Sequence, residues 1–292
     1  MGAGGFSVTT LAILADIHGN RPALEAVLAD LARWRVDHVV VAGDVINWGP
    51  FSAQVLERVA SEGWAVIRGN NEYYLLDYQT PRMPAAWRDY TLLPWLKRQF
   101  NARWHAVIAA WPDTLSLRFP DGPPIRVVHG SPRDNTQSIY RDSPEADVAA
   151  WLAGVEETTV VAAHTHLPMD RRAGRWRVLN PGSVGVPLDG AHRASYLLLE
   201  SDGRDWRAAF RSVPFDPAPV LDEFERQGFV DEYGITAQLV VEEFAQARLR
   251  LHPFRRWRAD RRPGAPVTPE LLAEFATIDP WPYIPAAYHV NR

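Results

Sequence analysis

An α/β architecture with a helical C-terminal extension is predicted by two patterns in this 292-residue chain. Short apolar runs alternate with amphipathic stretches from Val8 onward, as β-α-β units around a mainly parallel sheet require. After the proline-rich stretch from Val213 to Pro219 the strand pattern stops and helix-like segments follow. These patterns place a boundary near residue 215, with one domain at 1–215 and an extension at 216–292.

The elements follow in order. Val8 to Ala15 reads as a buried strand. Asn20 then caps a helix whose first turn accepts Pro22, with Leu24, Val27, Leu28, Leu31 and Trp34 on one face at helical spacing. His38 to Val41 is a second strand. Ser52 is expected to cap a second helix that turns Val55, Leu56 and Val59 inward, Gly63 closes it, and Trp64 to Ile67 forms a third strand. Ala85 to Trp111 is helical in character but interrupted at Pro94, which predicts two helices. Ile125 to Val128, Thr158 to Ala162, Arg175 to Leu179 and Ser195 to Leu199 are further strands, with a helix over Glu145 to Leu152. The extension carries helical patterns at Val220 to Gln227, Thr236 to Leu251 and Thr268 to Ala276.

Composition removes several classes of function. The chain is 47% hydrophobic with a net charge of −4, an ordinary globular balance that excludes a disordered or collagen-like chain. The absence of cysteine rules out disulfides, thiolate metal sites and a cysteine nucleophile. The N-terminus lacks a basic leader and its apolar run breaks at Asp16, so a signal peptide and a membrane span are not expected. The expectation is a soluble cytoplasmic protein with no membrane partner.

Five of the proposed strands end in polar residues that an apolar core would not select: Asp16-Ile17-His18, Asp44, Asn70, His129 and His164-Thr165-His166. In open α/β sheets the ligand site lies beyond the carboxyl ends of the strands, so these residues converge on one rim. Asp16 and His18, like His164 and His166, are two apart and would share a side of an extended chain. Two carboxylates, an amide and four imidazoles suit a pair of divalent transition metals. Asp16, His18 and His166 would hold one ion, Asn70, His129 and His164 the other, and Asp44 would be shared. Such a centre keeps net positive charge and attracts anions. A metal pair lowers the pKa of a bridging water and clamps the attacking and leaving oxygens of an in-line displacement, which is hydrolysis at phosphorus.

Asp-Ile-His-Gly-Asn at 16–20, Gly-Asp-Val-Ile-Asn at 43–47, Gly-Asn at 69–70, His-Gly at 129–130 and Ala-His-Thr-His at 163–166 resemble the five blocks of the calcineurin-like metallophosphoesterases. Asn180 to Gly185, followed by Arg193-Ala194-Ser195-Tyr196, resembles the bacterial and archaeal phosphodiesterase branch. The resemblance implies a β-sandwich of two mixed sheets flanked by helices, and a dinuclear centre of Mn, Fe, Ni or Zn bound by the residues assigned above. Three departures stand out. Asn47 and Trp48 occupy the Asp and Arg positions of the protein Ser/Thr phosphatases, so phosphoproteins lose their arginine grip. Ala163 replaces a glycine, a small change. Asn71 stands where the family carries the histidine that protonates the leaving group.

An amide is not a general acid at neutral pH, and such catalysis contributes ~10²–10⁴-fold. A phosphodiesterase acting on a small phosphate ester is expected, with Asp44, Asn71, His129 and His164 at the reaction and Asn20, Asn47, Asn71 and Arg133 toward substrate. The first alternative is a nucleotide phosphatase or pyrophosphohydrolase, with Trp48 and Tyr73 as base-stacking candidates. The second is a metal-binding interaction scaffold, favoured by Asn71 and opposed by retention of all the ligands. The Arg255–Arg262 run is read as a solvated face, and nucleic acid is not an expected partner of this acidic chain. Phe224, Phe229, Phe244, Trp257, Phe275, Trp281 and Tyr283 require burial, on the first domain or on a second copy, and a homodimer through the extension is expected because the extension is too short and segmented for a core of its own.

Overall fold

The structure, a computed structural model, describes residues 8–88 and 90–291; the first seven residues, on which the absence of a leader was partly read, lie outside the described residues. The chain opens with β1 (Thr10–Leu14), α1 (Arg21–Leu31), β2 (His38–Val41), α2 (Ser52–Ser61), β3 (Ala65–Val66) and α3 (Asn70–Asp77), followed by α4 (Leu93–Arg98) and α5 (Ala102–Ala110). Next come β4 (Thr114–Phe119), β5 (Gly122–Val128), α6 (Glu145–Trp151), β6 (Thr159–Ala162), β7 (Met169–Ala173), β8 (Trp176–Asn180), β9 (Arg193–Ser201) and β10 (Trp206–Pro214). The extension forms α7 (Ala218–Arg226), α8 (Phe229–Gln246), α9 (Leu251–Arg261) and α10 (Pro269–Ala276).

Two five-stranded sheets result, ordered β10-β9-β1-β2-β3 and β4-β5-β6-β8-β7. In the first, β1, β2 and β3 run parallel while β9 runs against both its neighbours, β1 and β10; in the second, β5, β6 and β8 are parallel while β4 and β7 run against them. The mainly parallel sheet read from periodicity is thus two mixed sheets, as the family resemblance implied. The strand pattern read from the sequence lacks β4, β7 and β10, all at sheet edges: β7 reads MDRRA, β10 alternates exposed and half-buried residues, and β4 carries Leu115, Leu117 and Phe119 on one side only.

Pleating sorts the apolar residues into layers. Leu11, Ile13 and Ala15 enter the core between the sheets with Val127, Val161 and Leu179. Ala12 and Leu14 face the helical layer that contains Leu24, Val27, Val55 and Leu56. Val148 and Leu152 cover the outer side of the second sheet against Val160 and Val178.

Several local expectations are revised. Trp34 lies beyond the end of α1 and is 43% exposed, with the Arg211 guanidinium 4.7 Å above its ring. Ser52 is the first residue of α2 rather than its cap, and its hydroxyl accepts from the Asn47 N–H and donates to the Gly49 carbonyl. Pro94 sits in the first turn of α4, where its missing N–H costs nothing, and the break falls at Asn101, the cap of α5. In the extension, α8 starts at Phe229, breaks at Gly234 and ends at Ala247 with φ 51°. The arginine run forms α9, because Leu251, Phe254 and Trp257 recur every third residue and bury one face.

The extension closes its apolar surface against its own chain. Phe224, Phe229, Phe244, Trp257 and Phe275 are buried in the same core as Leu56, Leu75 and Trp95, and the rings of Trp95 and Phe229 lie 4.7 Å apart. Trp281 and Tyr283 are half-buried. Five of the seven aromatic residues are thus buried within the chain itself.

Candidate metal centre

The loops after β1, β2, β5 and β6 and the start of α3 bring the predicted ligands to one rim. Asp16, His18 and His166 form one cluster, and Asp44, His129 and His164 another, the ligand atoms of each lying within 4.8 Å of one another. Asn70 joins the second through Oδ1, 3.1 Å from His129 Nε2. Asp44 Oδ2 reaches toward both, 3.2 Å from His129 Nε2 and 3.6 Å from His18 Nε2.

The backbone achieves this by a route that differs from the extended chain inferred from the i, i+2 spacing. Asp16, His18, Asp44, His164 and His166 all have positive φ, between 48° and 69°. Such values are rare for non-glycine residues, and they cluster at sites where the surrounding structure holds strained backbone in place. His164 and His166 accordingly diverge, one to each cluster. Asn180 Nδ2 donates to the Ala163 carbonyl and Ser183 Oγ to the Asp16 carbonyl, which ties the two ligand loops together. A Cβ on Gly185 would stand 1.8 Å from the Ile17 carbonyl oxygen, so only glycine fits there.

The donor set fits a metal pair. His129 Nδ1 donates to the Ala42 carbonyl at 2.8 Å and His166 Nδ1 to the Val186 carbonyl at 2.7 Å, which leaves both Nε2 atoms as lone-pair donors. His129 Nε2 then faces the oxygens of Asp44 and Asn70, and His166 Nε2 faces Asp16 Oδ1 at 3.4 Å. Acceptors that face one another require a cation between them, either a proton or a metal. Asp16 Oδ1 and His18 Nδ1 are also buried without a hydrogen-bond partner.

Titration follows the same geometry. Burial holds His18 and His164 down to about 4, so both are neutral ligands at pH 7. Burial acts likewise on His129, but the adjacent Asp44 carboxylate outweighs it and pushes the imidazole up to about 10. Burial opposes ionisation of Asp44, yet His129 holds its carboxyl well below the usual range. Where a metal would sit, the cluster otherwise keeps a proton.

Glu72 carries a role that sequence reading missed. Its carboxylate accepts from the backbone N–H groups of Asp44 at 3.0 Å, Val45 at 2.8 Å and Gly69 at 2.7 Å, fixing the Asp44 loop to the start of α3. Its position three residues after Gly69 is the capping-box spacing, the one signal that could have found it.

The expected substrate contacts fall differently. Asn71 donates Nδ2 to Asp44 Oδ2 at 2.5 Å and accepts from Asn47 Nδ2 at 2.7 Å, so its amide faces the carboxylate. Asn20 is fully buried, accepting from Ala23 N and donating to the Gly185 carbonyl, which makes it a helix cap turned into the fold. Arg133 is exposed and lines a cleft of about 380 Å³ that reaches His129. Trp48 stacks on His18 with ring centres 4.9 Å apart, and the Tyr73 hydroxyl donates to Asp113.

Residues 10–204 match the model of the calcineurin-like phosphoesterase superfamily domain. The chain is 30% identical over 199 residues to the phosphodiesterase YfcE of Escherichia coli strain K12, covering 66% of this chain and 88% of that protein. It is 29% identical over 160 residues to a symmetrical bis(5'-nucleosyl)-tetraphosphatase of Paracidovorax citrulli, 45% of this chain and 56% of that protein. The crystal structure of a metallophosphoesterase from Sphaerobacter thermophilus superposes with a TM-score of 0.66 at 25% identity, covering 82% of this chain and all of that one. The paired histidine–aspartate clusters at the sheet rim and these likenesses agree: the chain belongs to the calcineurin-like phosphoesterase superfamily.

Proposed function

We propose that the protein hydrolyses phosphodiesters with two divalent ions of the Mn, Fe, Ni or Zn group, using residues 1–215 as the catalytic domain and 216–292 as its cover. Asp16, His18 and His166 would hold one ion, and Asn70, His129 and His164 the other. The observation that carries this reading is the reach of Asp44 Oδ2 toward an imidazole of each cluster. When bound, such a pair supplies an acidified water and a positive clamp on the phosphoryl oxygens. An all-nitrogen and oxygen donor set suits these metals.

The chain's own residues set the substrate range. Asn71 has no acid proton to deliver, so leaving groups that depart as stable anions are favoured over alkoxides. Arg133 lines the cleft at His129, where a guanidinium suits a phosphoryl oxygen. Asn47 and Trp48 replace the Asp and Arg of the protein Ser/Thr phosphatase motif, which disfavours phosphoproteins. A pyrophosphohydrolase reading is favoured by the likeness to the tetraphosphatase, whose name describes cleavage of phosphoanhydrides. The complete ligand set weighs against a scaffold. A cytoplasmic setting and a homodimer through the extension belong to the same reading. Among the described residues no helix is long and apolar enough to cross a membrane.

The test is metal analysis of the purified chain with an assay on bis(p-nitrophenyl) phosphate in Mn²⁺, Ni²⁺, Fe²⁺ and Zn²⁺. Metal-dependent release of nitrophenol is expected. Tightly held metal with no turnover on any ester would replace the enzyme reading with the scaffold.

A further inference from the structure

Between α9 and α3 with the segment that follows it lies a cavity of about 460 Å³ outside the two ligand clusters, walled by Tyr74, Trp87 and Tyr90 on one side and by Arg255 and Arg258 on the other. The aromatic wall is a packed cluster, with the Tyr74 ring 4.6 Å from Trp87 and 5.5 Å from Tyr90, both edge-on. Arg255 and Arg258 are one helical turn apart and point to the same side. The Arg255 guanidinium lies 4.8 Å over the Tyr90 ring. Neither guanidinium forms an ion pair or a hydrogen bond among the described residues, although most arginine side chains of this chain do.

The cavity adjoins the metal centre through two contacts. Trp48 Nε1 donates to the Tyr90 hydroxyl at 3.2 Å, and Trp48 stacks on His18. The Tyr74 hydroxyl interacts with the side chain of Asn70. A ligand whose phosphorus sits at the clusters can therefore extend along Trp48 and Asn70 into the cavity.

We infer that this cavity binds the organic half of the substrate, and that the half is a nucleotide: an aromatic base against the Tyr74, Trp87 and Tyr90 rings, and a second phosphoryl group on Arg255 and Arg258. Every base offers a π-face to such a wall, and a guanidinium pair without a carboxylate partner suits phosphate oxygens. The inference rests on the phosphoesterase reading for the reacting end and assigns the extension a part in substrate selection. The arginine run that reads as a solvated face is in this view half of a binding site.

The test uses the full chain stripped of metal with EDTA, titrated calorimetrically with ATP, adenosine and inorganic tripolyphosphate. ATP is expected to bind the wild type more tightly than either fragment. The double variant Arg255→Ala, Arg258→Ala should weaken ATP at least about tenfold, as the loss of charge-assisted phosphate contacts implies. Arg256→Ala, on the same helix but outside the cavity, should leave ATP affinity unchanged. Trp87→Ala should weaken ATP and adenosine but not tripolyphosphate. Absence of ATP binding to the wild type, or an equal loss in Arg256→Ala, overturns the inference. If ATP fails to bind while bis(p-nitrophenyl) phosphate is hydrolysed, the subsite is wrong and the phosphoesterase reading stands. If ATP binds through the two arginines while no metal supports hydrolysis, the subsite stands and the catalytic reading falls.

Discussion

Asn71 holds both oxygens of Asp44, its backbone N–H donating to Oδ1 at 2.8 Å and its side-chain amide to Oδ2 at 2.5 Å. The residue that occupies the family's acid position is therefore a brace for the carboxylate between the two clusters. Under the proposed phosphodiesterase reading this narrows the substrates, because an amide orients a neighbour but gives no proton to a leaving group.

Asn71→His is accordingly expected to raise kcat/KM on alkyl diesters by on the order of 10²-fold, the low end of what a general acid contributes. Bis(p-nitrophenyl) phosphate, whose nitrophenolate leaves without a proton, should gain far less. Parallel rates on both substrates check this. Equal gains on both would mean that position 71 acts through Asp44 alone.

Asp44→Asn tests the shared carboxylate. The substitution keeps the shape but removes the charge that Oδ2 offers to His18 and His129. Metal content should fall by at least one ion per chain, and turnover by on the order of 10³-fold, since two-metal activation needs both ions. Elemental analysis and the diester assay measure the two effects. Full metal content with normal turnover would remove Asp44 from the centre.

The candidate ligands stood out in the sequence because each is a polar residue at the end of an apolar run, where packing gives no reason for it. Their arrangement was less so. The i, i+2 spacing of His164 and His166 implied a common direction, yet φ of 69° and 60° sends them to separate clusters. Positive φ on a histidine leaves no mark in composition. The outer strands were hidden for a related reason: β7 and β10 hold their places by edge pairing and carry arginines outward. The extension's third helix was obscured by its charge, although Leu251, Phe254 and Trp257 carried its buried face in plain view.

Glu72→Gln tests the brace beneath the metal loop. The carboxylate accepts from three backbone N–H groups at 3.0 Å or less, whereas a glutamine has one oxygen and would turn its own NH₂ toward the remaining donors. Metal affinity should weaken by about 10–100-fold, the usual cost of removing a group that orients ligands. Stability should fall by about 1–3 kcal/mol for the donors left unsatisfied. Metal titration alongside far-UV circular dichroism separates this from unfolding. Wild-type metal affinity in a folded Glu72→Gln protein would show that the loop holds its shape unaided.

Glu243 gives the extension a pH signature. Its Oε1 accepts from the N–H groups of Arg250 and Leu251 at the start of α9, while Oε2 is buried without a partner. Burial pushes this carboxyl up to about 7 from an ordinary 4.5. A carboxyl whose folded pKa is raised binds an extra proton in the folded state between those values. Stability is therefore lost as pH climbs from about 4.5 to 7, and the full cost, about 3 kcal/mol, stands above pH 7. Glu243→Gln keeps the acceptor at Oε1 and removes the charge. Its thermal midpoint should exceed the wild type's by several degrees at pH 8, at roughly 2–4 °C per kcal/mol, and match it at pH 5. Melting curves of both proteins across that interval make the measurement. A difference that stays constant from pH 5 to pH 8 would show that Glu243 does not titrate there, and that its second oxygen has found a donor.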